Sequence, residues 1–175
     1  MISKFLTAMN LSKLFLSVLS FIIIGLFGSL IAQNKKSQNR HSISICSLPL
    51  KQGARGKIIF QSGNFMPSPE SKPNVGLGVV RQIAFFEPTR MDQVTEGKSS
   101  TFYKNIKTKK ICQVTSDKNG CFLARLKPGK YSMMVKEEGQ WYANSFGPNG
   151  EIFEIEVKAN EVTEVEFRIN HKAAF

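Results

Sequence analysis

The sequence predicts an all-β fold, a seven- to eight-stranded antiparallel β-sandwich, and three features carry that expectation. Residues 115–135 read TSDKNGCFLARLKPGKYSMMV, with turn signals at SDKNG and KPG. Asx side chains bond their own backbone, Gly accepts positive φ, and Pro fixes its own φ. Around those turns Phe122, Ala124 and Leu126, then Tyr131, Met133 and Val135, alternate with more polar neighbours, the period of half-buried strands. Residues 152–170, IFEIEVKANEVTEVEFRIN, alternate in the same way on either side of Ala159 and Asn160. No helical periodicity occurs beyond an apolar N-terminal run, and short strands punctuated by turns point to a sandwich.

Taken in order, residues 1–32 read as a hydrophobic export helix. Lys4 and Lys13 precede or open the uncharged run LFLSVLSFIIIGLFGSLIA, which ends in a small residue. Cleavage fits after Ala32, although Leu30 departs from the small residue usual at that place. The run nearly reaches the ~20 residues that cross a bilayer, so retention as a signal anchor stays open. Either way the remainder is exported, to the periplasm, the cell surface or the medium.

Residues 33–55 are polar and basic and read as a linker, with a short edge strand at 43–46. The sandwich is expected over 56–170. GKIIF (56–60) opens it, a loop rich in Pro and Gly follows (61–78), and VRQIAFFEP (80–88) is the next strong strand. FYKNIK (102–107) and KKICQVTS (109–116) are more polar strands. The two-turn unit and an aromatic loop, EEGQWYANSFGPNGE (137–151), come next. The last two strands, joined at Ala159 and Asn160, are expected to form a hairpin, leaving 171–175 as a tail.

The motif in the two-turn unit resembles the core of the carboxypeptidase regulatory-like domain, a transthyretin-like (prealbumin-like) and Ig-like sandwich. The matching positions are Ser116, Asp117, Gly120, Phe122, Leu126, Pro128, Gly129, Tyr131 and Val135, with Ser116 where the family usually has Thr. The resemblance covers about residues 55–170, and the layout is similar to the small, exported bacterial members that carry no enzyme. It implies a binding or structural module. Physically, Asp117 can cap the turn, Gly120 supplies positive φ, and Phe122, Leu126 and Tyr131 plug the space between sheets. These jobs identify a fold and give no chemistry.

Catalysis is not expected. His41 and His171 read HSIS and HKAA, neither of which begins a zinc motif, and no nucleophile elbow or phosphate loop occurs. No cofactor is expected. The formal net charge is +11, but no acid precedes Glu70, whereas beyond Glu137 the only bases are Lys158, Arg168 and Lys172. That asymmetry, without base-stacking aromatics, argues against nucleic acid. The basic stretches permit weak association with an anionic membrane surface. Of the three cysteines, Cys46, Cys112 and Cys121, at most two can pair internally. If SDKNG closes a hairpin, Cys112 and Cys121 point to opposite faces, and a bridge between them needs a bulge or a non-adjacent strand. A disulfide and three unpaired thiols both remain open.

Two constellations are candidates for binding. In the expected C-terminal hairpin Glu154 faces Glu166 and Glu156 faces Glu164, an unfavourable arrangement that Ca²⁺ or neighbouring lysines can relieve. Phe65, Met66, Trp141, Tyr142 and Phe146 sit on loops and can contact a partner, or cap the sandwich. The function expected is a non-catalytic module of the cell envelope that binds a partner protein or a glycan through loops 62–79 and 139–150. The alternatives are a structural envelope protein assembling through sheet edges, and a small-ligand or calcium carrier.

Overall fold

The computed structural model describes residues 45–66 and 75–175. The chain divides into two units, Met1–Ser42 and Ile43–Phe175. The first, with the expected export helix and the start of the linker, lies outside the described residues. In the second the lead-in forms a 3-10 turn at Ile45–Ser47 where a short strand was expected, and the described residues then form eleven strands. They are β1 (Gly53–Asn64), β2 (Leu77–Gly78), β3 (Gln82–Phe86), β4 (Thr95–Glu96), β5 (Phe102–Lys104) and β6 (Lys110–Thr115). β7 (Cys121–Ala124), β8 (Gly129–Glu137), β9 (Gln140–Tyr142), β10 (Glu154–Val157) and β11 (Val162–Ala174) complete the set. The count exceeds seven or eight because β2, β4 and β9 are too short to register as alternation.

The strands form two sheets. In the four-stranded sheet β11 lies on one side of β1, and β7 and β2 share its other side. The seven-stranded sheet runs β4-β5-β9-β8-β3-β6, with β10 paired to the first half of β8. Among the described residues all strand pairs but one are antiparallel. β1 and β11 run parallel, from Gly53 opposite Val162 to Phe60 opposite Ile169, then through a register shift to Asn64 opposite Ala174. Residues 171–174 are therefore strand and not tail, and the framework begins at Gly53 rather than Gly56.

Both turns of the motif change sheet. SDKNG carries the chain from β6, paired with β3, to β7, paired with β1, and KPG returns it to β8. No hairpin forms at either place. The C-terminal alternation behaves likewise, since β10 pairs with β8 and β11 with β1, so the expected hairpin is not formed. The physical reason is common to all three. An apolar face must point inward whether two consecutive strands pair or lie in facing layers, so alternation does not distinguish a hairpin from a crossing.

The core lies between the layers. Ile58, Phe122, Val165, Phe167 and Ile169 come from one sheet and Ile83, Phe85, Met133, Val135 and Tyr142 from the other, all buried. Phe85 meets Phe122 and Tyr142 meets Phe167 across the gap. Each such side chain contributes about 1.5–3 kcal/mol through burial. β8 is buried on its second face too, at Ser132 and Met134. Its Ser132 Oγ accepts a hydrogen bond from the Thr89 amide at 2.9 Å, tying the β3–β4 connection over that face. Among the described residues no helix is long and apolar enough to cross a membrane.

Candidate functional site

The motif residues take structural positions. Asp117 Oδ1 accepts from the amides of Asn119 and Cys121, both at 2.9 Å, and Oδ2 accepts from the Ile45 amide at 3.1 Å. One carboxylate thus caps the sheet-changing turn and holds the lead-in. Gly120 has φ +80°, and a Cβ there would collide with the Ile58 carbonyl oxygen, so both backbone angle and space demand glycine. Phe122 and Leu126 are buried, and the Tyr131 hydroxyl donates to the Lys127 carbonyl at 2.9 Å. Pro128 and Gly129 form the exposed second turn, Gly129 opening β8 at φ +150°.

Cys46 and Cys121 form a disulfide, with Cα atoms 5.2 Å apart. Cys121 stands opposite Lys57 on the outward face of its sheet, and Cys112 stands opposite Phe85 in the other. Cys112 is free and half-buried, and burial pushes its thiol above the usual range.

The four C-terminal carboxylates do not meet. The inward positions of Ile155 and Val157, and of Val165 and Phe167, leave Glu154 and Glu156 on the outer face of one sheet and Glu164 and Glu166 on the outer face of the other. Glu154 pairs with Lys130 at 2.9 Å, Glu164 with Arg55 at 2.7 Å, and Glu166 with Arg168 at 2.6 Å. The repulsion that a calcium ion was to relieve does not arise.

The five aromatic and apolar candidates are dispersed. Tyr142 is core: its ring packs on Phe102 and Phe167, and its hydroxyl donates to Asn170 Oδ1 at 2.8 Å. Trp141 lies half-buried against Phe86, with the Lys136 ammonium 4.8 Å above its ring. Phe65 stacks on Phe175 where β1 and β11 end, with Met66 exposed beside it. Phe146 is exposed in the β9–β10 connection, bridged to Ile152.

A cluster that sequence reasoning missed forms where β8 and β11 meet. Glu137, buried, accepts from Arg81 Nε at 2.6 Å through Oε2, and its Oε1 lies 3.5 Å from His171 Nε2. His171 packs among the rings of Phe60, Phe102 and Tyr142, and its Nε2 has no hydrogen bond. Glu138, next in sequence, takes Lys98 and Lys172, whose hydrogen bonds hold its carboxyl down at about 2. Glu137, Glu138 and His171 each bring one ligand-type atom within 4.8 Å of the others, a spacing compatible with a metal ion. The charges decide against that use: Arg81, Lys98 and Lys172 already neutralise both carboxylates and leave a net positive surround. The cluster is an ion-pair network closing one end of the layers. Its members are far apart in sequence and His171 follows the apparent end of the framework, so no local pattern announces it.

No family model matches the chain, and comparisons with curated proteins and with solved structures give no significant similarity.

Proposed function

We propose that this chain is an exported, non-catalytic module of the cell envelope, built on a transthyretin-like sandwich of the carboxypeptidase regulatory-like type, that binds a partner protein or a glycan through its connecting loops. The Cys46–Cys121 disulfide carries the reading, because such bonds persist mainly in oxidising compartments outside the cytosol. It agrees with the positive, then apolar, N-terminal sequence. The motif residues cap turns and fill the core, uses that their chemistry predicts and that leave them no catalytic part. For contact the loops offer Phe146 and Met66, both more than half exposed, with Trp141 half-buried nearby in sequence.

The test has two parts. Protein recovered from cells under acid quench is alkylated, and Cys46 and Cys121 are expected as one disulfide-linked peptide pair. Recovery of both as free thiols removes the argument for export. Crosslinking in intact cells is then expected to trap a recurrent partner through the 137–151 segment. A second reading, assembly through a sheet edge, rests on β6, which among the described residues pairs with β3 alone and exposes Ile111. Self-crosslinks at Lys109 or Lys110 alone would favour it.

A further inference from the structure

A groove of about 540 Å³ lies between the lead-in and the β7–β8 turn, lined by Pro49, Leu50, Lys51, Gln52, Arg125, Leu126 and Lys127. That size suits a small ligand. Lys51, Arg125 and Lys127 are exposed, and none is in an ion pair among the described residues. Arg55, Arg81, Lys98, Lys130, Arg168 and Lys172 each have a carboxylate, and what sets the three groove cations apart from the other unpaired bases is that they line one concave surface. Glu161 is tied to the lead-in by its backbone, its carbonyl accepting from the Gly53 amide at 3.1 Å, and among the described residues its carboxylate pairs with none of the three.

The walls are fixed in advance. Gln52 Nε2 donates to the Leu126 carbonyl at 2.9 Å, and Gln52 Oε1 accepts from the Asn160 amide at 3.0 Å. The disulfide and Asp117 anchor the lead-in, and Tyr131 holds the Lys127 carbonyl. Three cations gathered on preorganised backbone, with Pro49 and Leu50 beside them, constitute a receptor for a multiply charged oxyanion attached to a compact body.

We propose that this groove binds a phosphate ester, with Lys51, Arg125 and Lys127 supplying the charge and Arg125 the paired donors. The surface is distinct from the loops assigned to partner contact, so the proposal stands whether or not that assignment does. The phosphate can belong to a soluble ester or to a lipid headgroup, and both sources present the same oxygens.

The test uses the full-length chain in neutral detergent, titrated calorimetrically with glycerol phosphate. It is repeated by flotation with phosphatidylcholine vesicles lacking or containing phosphatidic acid, the lipid that carries the same phosphate monoester. The variants are K51A/R125A/K127A and, with equal charge removed elsewhere, K104A/K109A/K118A. Loss of binding by at least about tenfold in the groove variant alone, with both variants keeping the wild-type melting temperature, supports the site. Saturable calorimetric binding identifies a soluble ester. Groove-dependent flotation that needs phosphatidic acid, without calorimetric binding, identifies the headgroup. Equal losses in both variants, or no groove-dependent binding to either probe, overturns the proposal. If the groove variant melts early, R125K alone substitutes for it. Retained charge with lost paired donors is then expected to weaken binding several-fold, and unchanged affinity counts against the site.

Discussion

Cys46 and Cys121, 75 residues apart in sequence, are joined by a disulfide that fastens the lead-in to the outward face of the four-stranded sheet. Beside it, Asp117 reaches both the Ile45 amide and the turn that delivers Cys121. The bond and the cap therefore reinforce one junction. A loop of that length, closed covalently, is expected to contribute about 2–4 kcal/mol by restricting the unfolded chain. The variant C46S/C121S is expected to lose that amount in denaturant unfolding, and reductant to do the same to the native protein. An unchanged midpoint on reduction would show the bond to be absent or without effect.

Gly56 sits where β1 meets β11, opposite Val165, and a Cβ there would overlap the Val165 carbonyl oxygen. That neighbour is backbone in a paired strand and has nowhere to go. Gly56→Ala is expected to destabilise by about 1–3 kcal/mol, against the small gain that Gly→Ala usually brings by restricting the unfolded state. Gly139 separates space from strain: it has φ +79° and nothing within 4 Å of an added methyl, so Gly139→Ala meets backbone strain alone. A Gly56→Ala midpoint equal to wild type would mean that the two strands lie farther apart than described.

The all-β class, the inward faces and most long strands were legible because burial imposes period two wherever a sheet has one wet side. The pairing was not. Ile155 and Val165 point inward from different sheets, which looks the same in sequence as one hairpin. The carboxylate cluster drawn from that hairpin failed with it, since Glu154 and Glu166 take separate cations. Tyr142 read as a loop aromatic because β9 is only three residues long, and His171 as tail because polar residues surround it. The disulfide partner stood open for a similar reason, as Cys46 precedes the first alternating strand.

The phenol of Tyr103 is pushed up to about 12, first by burial and then by the Glu96 charge and Tyr142, and burial also raises Tyr142. A raised folded pKa favours the neutral phenol. The stabilisation is therefore complete below the unfolded value near 10 and is lost as pH rises from there through about 12. Stability is expected to be flat in this respect up to about pH 9.5 and to fall steeply above 10. Spectrophotometric titration should show two of the tyrosines ionising late or together with unfolding. All of them ionising near pH 10 in folded protein would contradict the burial.

The loop-binding reading needs side chains whose removal leaves the fold alone, and burial decides which qualify. Tyr142 does not: its ring is fully buried against Phe102 and Phe167, and its hydroxyl bonds Asn170. Tyr142→Ala is expected to cost about 3–5 kcal/mol, so any binding lost with it says nothing about contact. Phe146 is 55% exposed and Met66 53% exposed, and truncating either should move stability by less than about 0.5 kcal/mol. Phe146→Ala and Met66→Ala are therefore the informative changes, with Trp141→Ala intermediate because the Phe86 and Lys136 contacts go with it. If a partner is held through these loops, its crosslinking yield should fall severalfold in Phe146→Ala at an unchanged melting temperature. Full yield in both exposed variants would move the contact off the loops and toward the open edge at β6.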